Sequence, residues 1–182
     1  MYFAAVTFPP TFLPMRCRSL LLLSLLLCGA CASNRPAANR TDRHGYSQGR
    51  WRTYYDEAAR TQPFTAGRYR HGRPVGTFRY YGPTGALAQT ERYGRQGFCE
   101  VTYWYPGGQV ERRGKAQWLT GAKGARFYWF GPWTRYTETG QVRAVETYTD
   151  GSHTATDVYQ GGRLTATEIY KNGQLVETRP VQ

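Results

Sequence analysis

From Gly140 onward the chain sets its turn residues and its apolar residues on one fixed beat. Gly140, Gly151, Gly162 and Gly173 are eleven residues apart, and Ala144, Ala155 and Ala166 keep the same phase. So do Glu146, Asp157 and Glu168, and so do Tyr148, Tyr159 and Tyr170. The blocks run over 142–152, 153–163 and 164–174. Each contains a turn dipeptide, Asp150-Gly151, Gly161-Gly162 or Asn172-Gly173. These pairs suit type I′ turns, whose two central residues need φ > 0 and whose twist matches a hairpin. Between them stand Val, Thr, Tyr, Ala and Ile, residues that favour strands. The pattern predicts an all-β fold: a single-layer antiparallel meander of repeated hairpins.

A two-residue turn fixes the register of the strands it joins. Tyr148 should face His153, Tyr159 should face Leu164, and Tyr170 should face Leu175. Cross-strand aromatic–aliphatic pairs of this kind contribute roughly 0.2–1 kcal/mol each. Alternation then puts Glu146 and Glu168 on one face, two strand spacings or about 9–10 Å apart, with Asp157 diagonally between them. The other face should carry Val145, Thr147, Thr156, Val158, Thr167 and Ile169. Neither face is fully apolar, as expected of a thin sheet wetted on both sides and held by its neighbours.

Upstream the theme is looser. Gly76-Thr77-Phe78-Arg79-Tyr80-Tyr81 leads to Gly85, Cys99-Glu100-Val101-Thr102-Tyr103-Trp104 leads to Gly108, and Gly131-Pro132-Trp133-Thr134-Arg135-Tyr136 leads to Gly140. Tyr81, Trp104 and Tyr136 each stand four residues before their glycine. Gly49-Arg50-Trp51 starts a degenerate first copy. The period slips around 115–130, which predicts an insertion or an irregular hairpin there. Gly, then an aromatic two positions on, then Tyr, a turn glycine and an aliphatic residue resembles the MORN repeat in its bacterial variant form. Gly131, Trp133, Tyr136, Gly140 and Val142 fit it, as do Gly76, Phe78, Tyr81, Gly85 and Leu87. Bacterial chains of this kind are grouped with a YwqK-like antitoxin family. The resemblance spans roughly residues 65–178. It implies a β-hairpin array for protein–protein or membrane-surface contact, with no catalytic residue or cofactor to carry over.

The N-terminal stretch has another character. Residues 1–41 contain no Asp or Glu. Met15-Arg16-Cys17-Arg18-Ser19 precedes the apolar run Leu20 to Leu27, and small residues follow: basic, apolar, small, the order of a secretory signal peptide. The run is too short to span a bilayer, which needs about 20 residues. The basic segment places the natural start at Met15. Gly29-Ala30-Cys31 resembles a bacterial lipobox, which implies cleavage after residue 30 and acylation of Cys31; an ordinary cleaved signal with a chance cysteine is the alternative. Several acyl chains on one residue would anchor the chain stably. Ala32 and Ser33 lack the Asp of inner-membrane retention, which favours the outer membrane. The chain therefore reads as a signal peptide over 1–30, a lipidated tether over 31–48 and a repeat domain over 49–178.

Charge narrows the partners. The chain carries 24 Lys+Arg against 12 Asp+Glu, a net charge of +12, and only Lys115, Lys123 and Lys171 are lysines. Loss of residues 1–30 removes Arg16 and Arg18 and leaves +10. Export disfavours nucleic acid. An arginine-rich sheet at an envelope instead implies an anionic envelope component or an acidic protein, through Arg79, Arg92, Arg95, Arg112, Arg113, Arg126, Arg135 or Arg143. The candidate binding set is Tyr81, Trp104, Trp133, Tyr136, Arg135 and Arg143. The wider aromatic set, which includes Tyr80, Tyr103, Tyr105, Tyr128 and Trp129, reads first as core. No phosphate loop, nucleophile–base pattern, cofactor motif or metal-type His/Cys spacing is present, and His44, His71 and His153 read as surface residues. Glu146, Glu168 and Asp157 at near-glycosidase spacing leave a glycan-binding or carbohydrate-active protein as the alternative. After cleavage Cys99 is the one free thiol, and it reads as a buried strand residue.

Overall fold

The computed structural model describes residues 38–121 and 124–181; the signal segment and Cys31 lie outside the described residues. Twelve strands form one antiparallel sheet in which every neighbour in space is a neighbour in sequence. They are β1 Arg40–Thr41, β2 Ser47–Tyr54, β3 Pro63–Arg70, β4 Arg73–Tyr81, β5 Leu87–Tyr93, β6 Phe98–Trp104, β7 Val110–Gly121, β8 Gly124–Tyr136, β9 Val142–Thr149, β10 Ser152–Gln160, β11 Arg163–Lys171 and β12 Gln174–Pro180. The sheet is a single layer and is not closed into a barrel. The short β1 and the turn at Asp42–Gly45 fall within the stretch read as tether.

Two turn types recur along the chain, and the last three turns are all of the tight kind. His71-Gly72, Asp150-Gly151, Gly161-Gly162 and Asn172-Gly173 all have positive φ at both positions, the geometry of type I′. The wider turns end on Gly45, Gly85, Gly108 and Gly140, with φ of 80–86°. Gly85 N–H, for example, donates to the Gly82 carbonyl at 2.9 Å. The three predicted contacts across the tight turns are present: Tyr148 pairs with His153, Tyr159 with Leu164 and Tyr170 with Leu175. The slipped stretch is the long hairpin of β7 and β8, 12 and 13 residues per arm.

Beyond each tight turn, however, one residue is extra. Register shifts leave Thr154, Thr165 and Val176 unpaired, again eleven residues apart. Each is a β-bulge, and an odd residue reverses the parity of the strand that follows. Thr156 therefore pairs with both Glu146 and Glu168 and shares their face. Val158 shares that face as well. Asp157, expected there, lies on the opposite face with Val145 and Thr167. The two threonine bulges are tied identically: Thr154 Oγ1 donates to the Thr147 carbonyl at 3.1 Å and Thr165 Oγ1 to the Val158 carbonyl at 3.0 Å.

The two faces differ sharply. Phe78, Glu91, Cys99, Val101, Gly114, Ala116, Trp133, Ala144, Glu146 and Thr156 are the buried residues among those described, and the register puts all of them on one face. Among the described residues no second layer covers that face; its own long side chains do. Trp51, Tyr69, Phe78 and Tyr93 meet edge to face in series, with centroids 5.0–5.9 Å apart. Cys99 and Ala116 continue the row to Trp129, and Tyr148, His153 and Tyr170 complete it. His153, expected on the surface, is thus part of this row, half-buried between two tyrosines.

The Gly-x-aromatic signature makes the closest of these contacts. Gly131 adopts φ +66° and Gly76 φ +67° in mid-strand. The local bulge lets three residues, 131–133, stand opposite Gly114, and 76–78 opposite Gly67. Trp133 and Phe78 then lie flat on those glycines. A Cβ at Gly114 would fall 2.2 Å from the Trp133 ring, and one at Gly67 2.5 Å from Phe78. Trp133 is fully buried, stacked on Trp129 at 3.9 Å, and its Nε1 donates to the Lys115 carbonyl at 3.1 Å.

Gly114→Ala should lower stability by ~1–3 kcal/mol through overpacking alone, read as a lower urea midpoint with an unchanged slope. An alanine variant as stable as the parent would show that Trp133 does not rest on this glycine.

Candidate binding faces

The buried face contains two carboxylate clusters built on one plan. Glu91 accepts from Tyr80 OH at 2.9 Å, Tyr93 OH at 2.6 Å and Gln89 Nε2 at 2.7 Å. Glu146, 55 residues on, accepts from Arg135 at 3.1 Å and Tyr148 OH at 3.1 Å, with Arg112 at 3.6 Å. Tyr80 and Arg135 occupy equivalent positions, as do Tyr93 and Tyr148. Glu168 and Tyr170 form a third copy, at 2.7 Å. The common unit is Glu-x-Tyr: residues i and i+2 share a strand face, so the tyrosine hydroxyl reaches the carboxylate of its own strand. Only the neighbouring donors change, neutral at Glu91 and cationic at Glu146.

Arg112 completes the second cluster. Its guanidinium lies 4.8 Å from the Tyr103 ring centre, 4.7 Å from Trp129 and 5.8 Å from Trp133. Arg135 and Arg112 are therefore committed to Glu146 and the aromatic rings. Trp133, also in the candidate set, presents no surface. The acidic trio does not converge either: Glu146 is ion-paired, Glu168 holds Tyr170, and Asp157 accepts from Thr167 on the far face at 2.6 Å. Among the described residues no three His, Cys, Asp or Glu side chains cluster as metal ligands. Of the histidines, His71 is exposed and lies 2.9 Å from Asp42.

The remaining candidates belong to the wet face. Tyr81, Trp104 and Tyr136 are partly exposed there. Trp104 Nε1 donates to Thr90 Oγ1 at 3.3 Å, and Arg113 donates to Tyr136 OH at 3.4 Å. Arg143 is exposed, at the bulge between β8 and β9. Cations dominate β2 to β7 on this side: Arg52, Arg68, Arg79, Arg92, Arg113 and Lys115 are all exposed. None has a carboxylate within 4 Å among the described residues. Outside the Glu91 cluster the acidic strand residues of β2 to β7 are Glu111, unpaired at the bulge between Val110 and Arg112, and Glu100, in register with Arg92 and Lys115. Arg92, Glu100 and Lys115, with Phe98 and Phe130, line an open groove of 630 Å³. Arg52, Arg68, Glu91 and Tyr93 were not singled out from sequence. The recurrence of Glu-x-Tyr at 91, 146 and 168 is the signal that marks the carboxylate sites.

Burial first, and the charge of Glu91 second, push the Cys99 thiol from 9.0 up to about 12. Burial and then Glu146 push Tyr148 from 10.0 up to about 12. Tyr80 and Tyr93 are raised further, by burial first and then by Glu91. All these groups hold their protons more tightly when folded. Their stabilising contribution is whole below the unfolded values and is lost as pH climbs toward the folded ones. Melting temperature should therefore fall across pH 9 to 12, and Cys99 should resist alkylation at neutral pH until the sheet opens. A melting temperature flat across that window, or rapid labelling of the native chain, would contradict the burial of this row.

No protein-family model matches the chain and no curated protein matches it, so its two faces are read from their own chemistry.

Proposed function

We propose that this chain is a bacterial cell-envelope lipoprotein, related to MORN-variant repeat proteins, whose sheet is a non-catalytic binding or scaffolding module. Its partner is a protein or an anionic membrane-surface component. The observation that carries this reading is the asymmetry of an open single-layer sheet. One face spends its aromatic and acidic groups on its own cohesion, and the other exposes an array of cations that, among the described residues, have no carboxylate within 4 Å. Such an array raises the local concentration of anionic partners and speeds encounter.

The carboxylates support a binding rather than a catalytic role by their commitments. A general acid–base pair needs access to a reacting group within hydrogen-bond reach. Glu91 and Glu146 are buried, and their oxygens are already engaged by tyrosines, Gln89 or arginines. The envelope location and the anchor rest on the basic–apolar–small order of residues 16–33 and on Cys31. The outer membrane is the favoured location, since Asp is absent at positions 32 and 33. The literal antitoxin role of the resembling family acts inside cells and is not adopted for an exported chain.

Expression of the full chain and of Cys31→Ser, followed by fractionation and mass spectrometry of the mature N-terminus, tests the anchor. The parent should be membrane-bound with an acylated Cys31, and the variant should be released or left unprocessed. A parent chain with an unmodified N-terminus, or one cleaved elsewhere, would end the lipoprotein reading.

A further inference from the structure

The wet face of β4–β8 carries two rows that run across the strands. The first is aromatic. Tyr81, Trp104 and Tyr136 stand on β4, β6 and β8, each four residues before its turn glycine and each partly exposed. Alternate strands are about 9–10 Å apart, so the three rings recur at that interval. The second row lies two residues back along the strands. Arg79, Thr90, Thr102 and Arg113 are in direct register from β4 to β7. Both arginines are exposed and free of carboxylates among the described residues. The rows are joined where Trp104 bonds Thr90 and Arg113 bonds Tyr136.

We infer that this face binds a linear acidic polysaccharide laid across the strands. Its sugar rings stack on Tyr81, Trp104 and Tyr136, and its carboxylates are held by Arg79 and Arg113. Each part of the surface matches one part of such a ligand. Aromatic faces offer an apolar platform to the C–H face of a sugar ring, and tyrosine and tryptophan add a polar edge. Guanidinium groups take carboxylates through two parallel hydrogen bonds. Threonine hydroxyls between the arginines can donate to or accept from sugar hydroxyls. Arg79 and Arg113 are three strands apart, about 14 Å. At that separation the two guanidinium groups would take carboxylates on different sugars of one chain. A bilayer is the poorer fit. Adjacent strands rotate by roughly 20–25°, so the row turns by about 80–100° between β4 and β8. A flexible polymer can follow that twist, whereas a flat membrane meets only a few strands at once.

The inference deepens the binding-module reading and rests on its envelope location for the choice of polysaccharide over nucleic acid. It does not depend on the anchor, so it can fail separately from the fractionation experiment. The test is titration of the full chain with hyaluronan oligosaccharides, followed by calorimetry and tryptophan fluorescence. Carboxyl-reduced hyaluronan, single-stranded DNA and anionic phospholipid vesicles serve as competitors of stated chemistry. The native polymer should bind, more weakly as salt rises, and carboxyl reduction should weaken it at least about tenfold. Arg79→Glu with Arg113→Glu should have a similar effect at an unchanged melting temperature; the milder Arg79→Gln with Arg113→Gln pair serves if the reversal disturbs folding. Tyr81→Ala and Tyr136→Ala should each weaken binding several-fold, while Tyr136→Phe keeps the ring and most of the affinity. No binding at low salt, indifference to carboxyl reduction, or indifference to loss of the rings would overturn the inference. Tighter binding of DNA or vesicles than of hyaluronan at this face would overturn it in favour of those partners.

Discussion

The structure depends on rings lying across neighbouring strands. A sheet one layer thick has no second layer against which to bury its apolar side, and hydrogen bonds between strands contribute only modestly net of water. This chain instead covers its own backbone. Trp133 lies on Gly114 and Phe78 on Gly67, and the rest of the row bridges strand to strand from Trp51 to Tyr170. Each ring buries surface that belongs partly to the next strand. Cohesion is therefore passed from neighbour to neighbour, as in solenoids, and is densest at Cys99, Val101, Ala116 and Trp133.

Small and charged residues on the same face follow from that constraint. Glycine and alanine at 114, 116 and 144 make room for rings. Glu91 and Glu146 sit among the rings because tyrosine supplies both ring and hydroxyl: one end packs, the other satisfies the carboxylate. A buried charge with all its oxygens engaged fixes side-chain positions more than it adds stability. Glu91 uses neutral donors and Glu146 two arginines, so equivalent sites tolerate different chemistry as long as every oxygen is met. With one face committed to cohesion, the other is free to carry charge. Alternation along each strand separates the two tasks residue by residue.

Turns and local register were legible in the sequence because they are encoded locally. Asp150-Gly151, Gly161-Gly162 and Asn172-Gly173 name their turn type, and a tight turn fixes its first cross-strand pair, as at Tyr159 and Leu164. Facing beyond the first pair was not legible. One unpaired residue at Thr154 or Thr165 reverses the parity of all that follows, and nothing in a threonine announces a bulge. This is why Asp157 lies on the wet face and Thr156 on the buried one. Candidate residues divided along the same line. Tyr81, Trp104 and Tyr136, spaced from turn glycines, share one partly exposed row, whereas Trp133 and Arg135 belong to the packed face. An aromatic residue in a thin sheet has the same composition signature whether it packs or binds. Only the glycine opposite it, 19 residues away in the case of Gly114 and Trp133, tells the two apart.

If rings pass stability from strand to strand, protection should be graded along the sheet. Native-state hydrogen exchange measured strand by strand tests this directly. The opening free energy should be highest in β6–β8, around Val101, Ala116 and Trp133, and should fall stepwise toward β2 on one side and β12 on the other. A single opening free energy shared by all strands, or the greatest protection in β12, would contradict an account built on local stacking across one face.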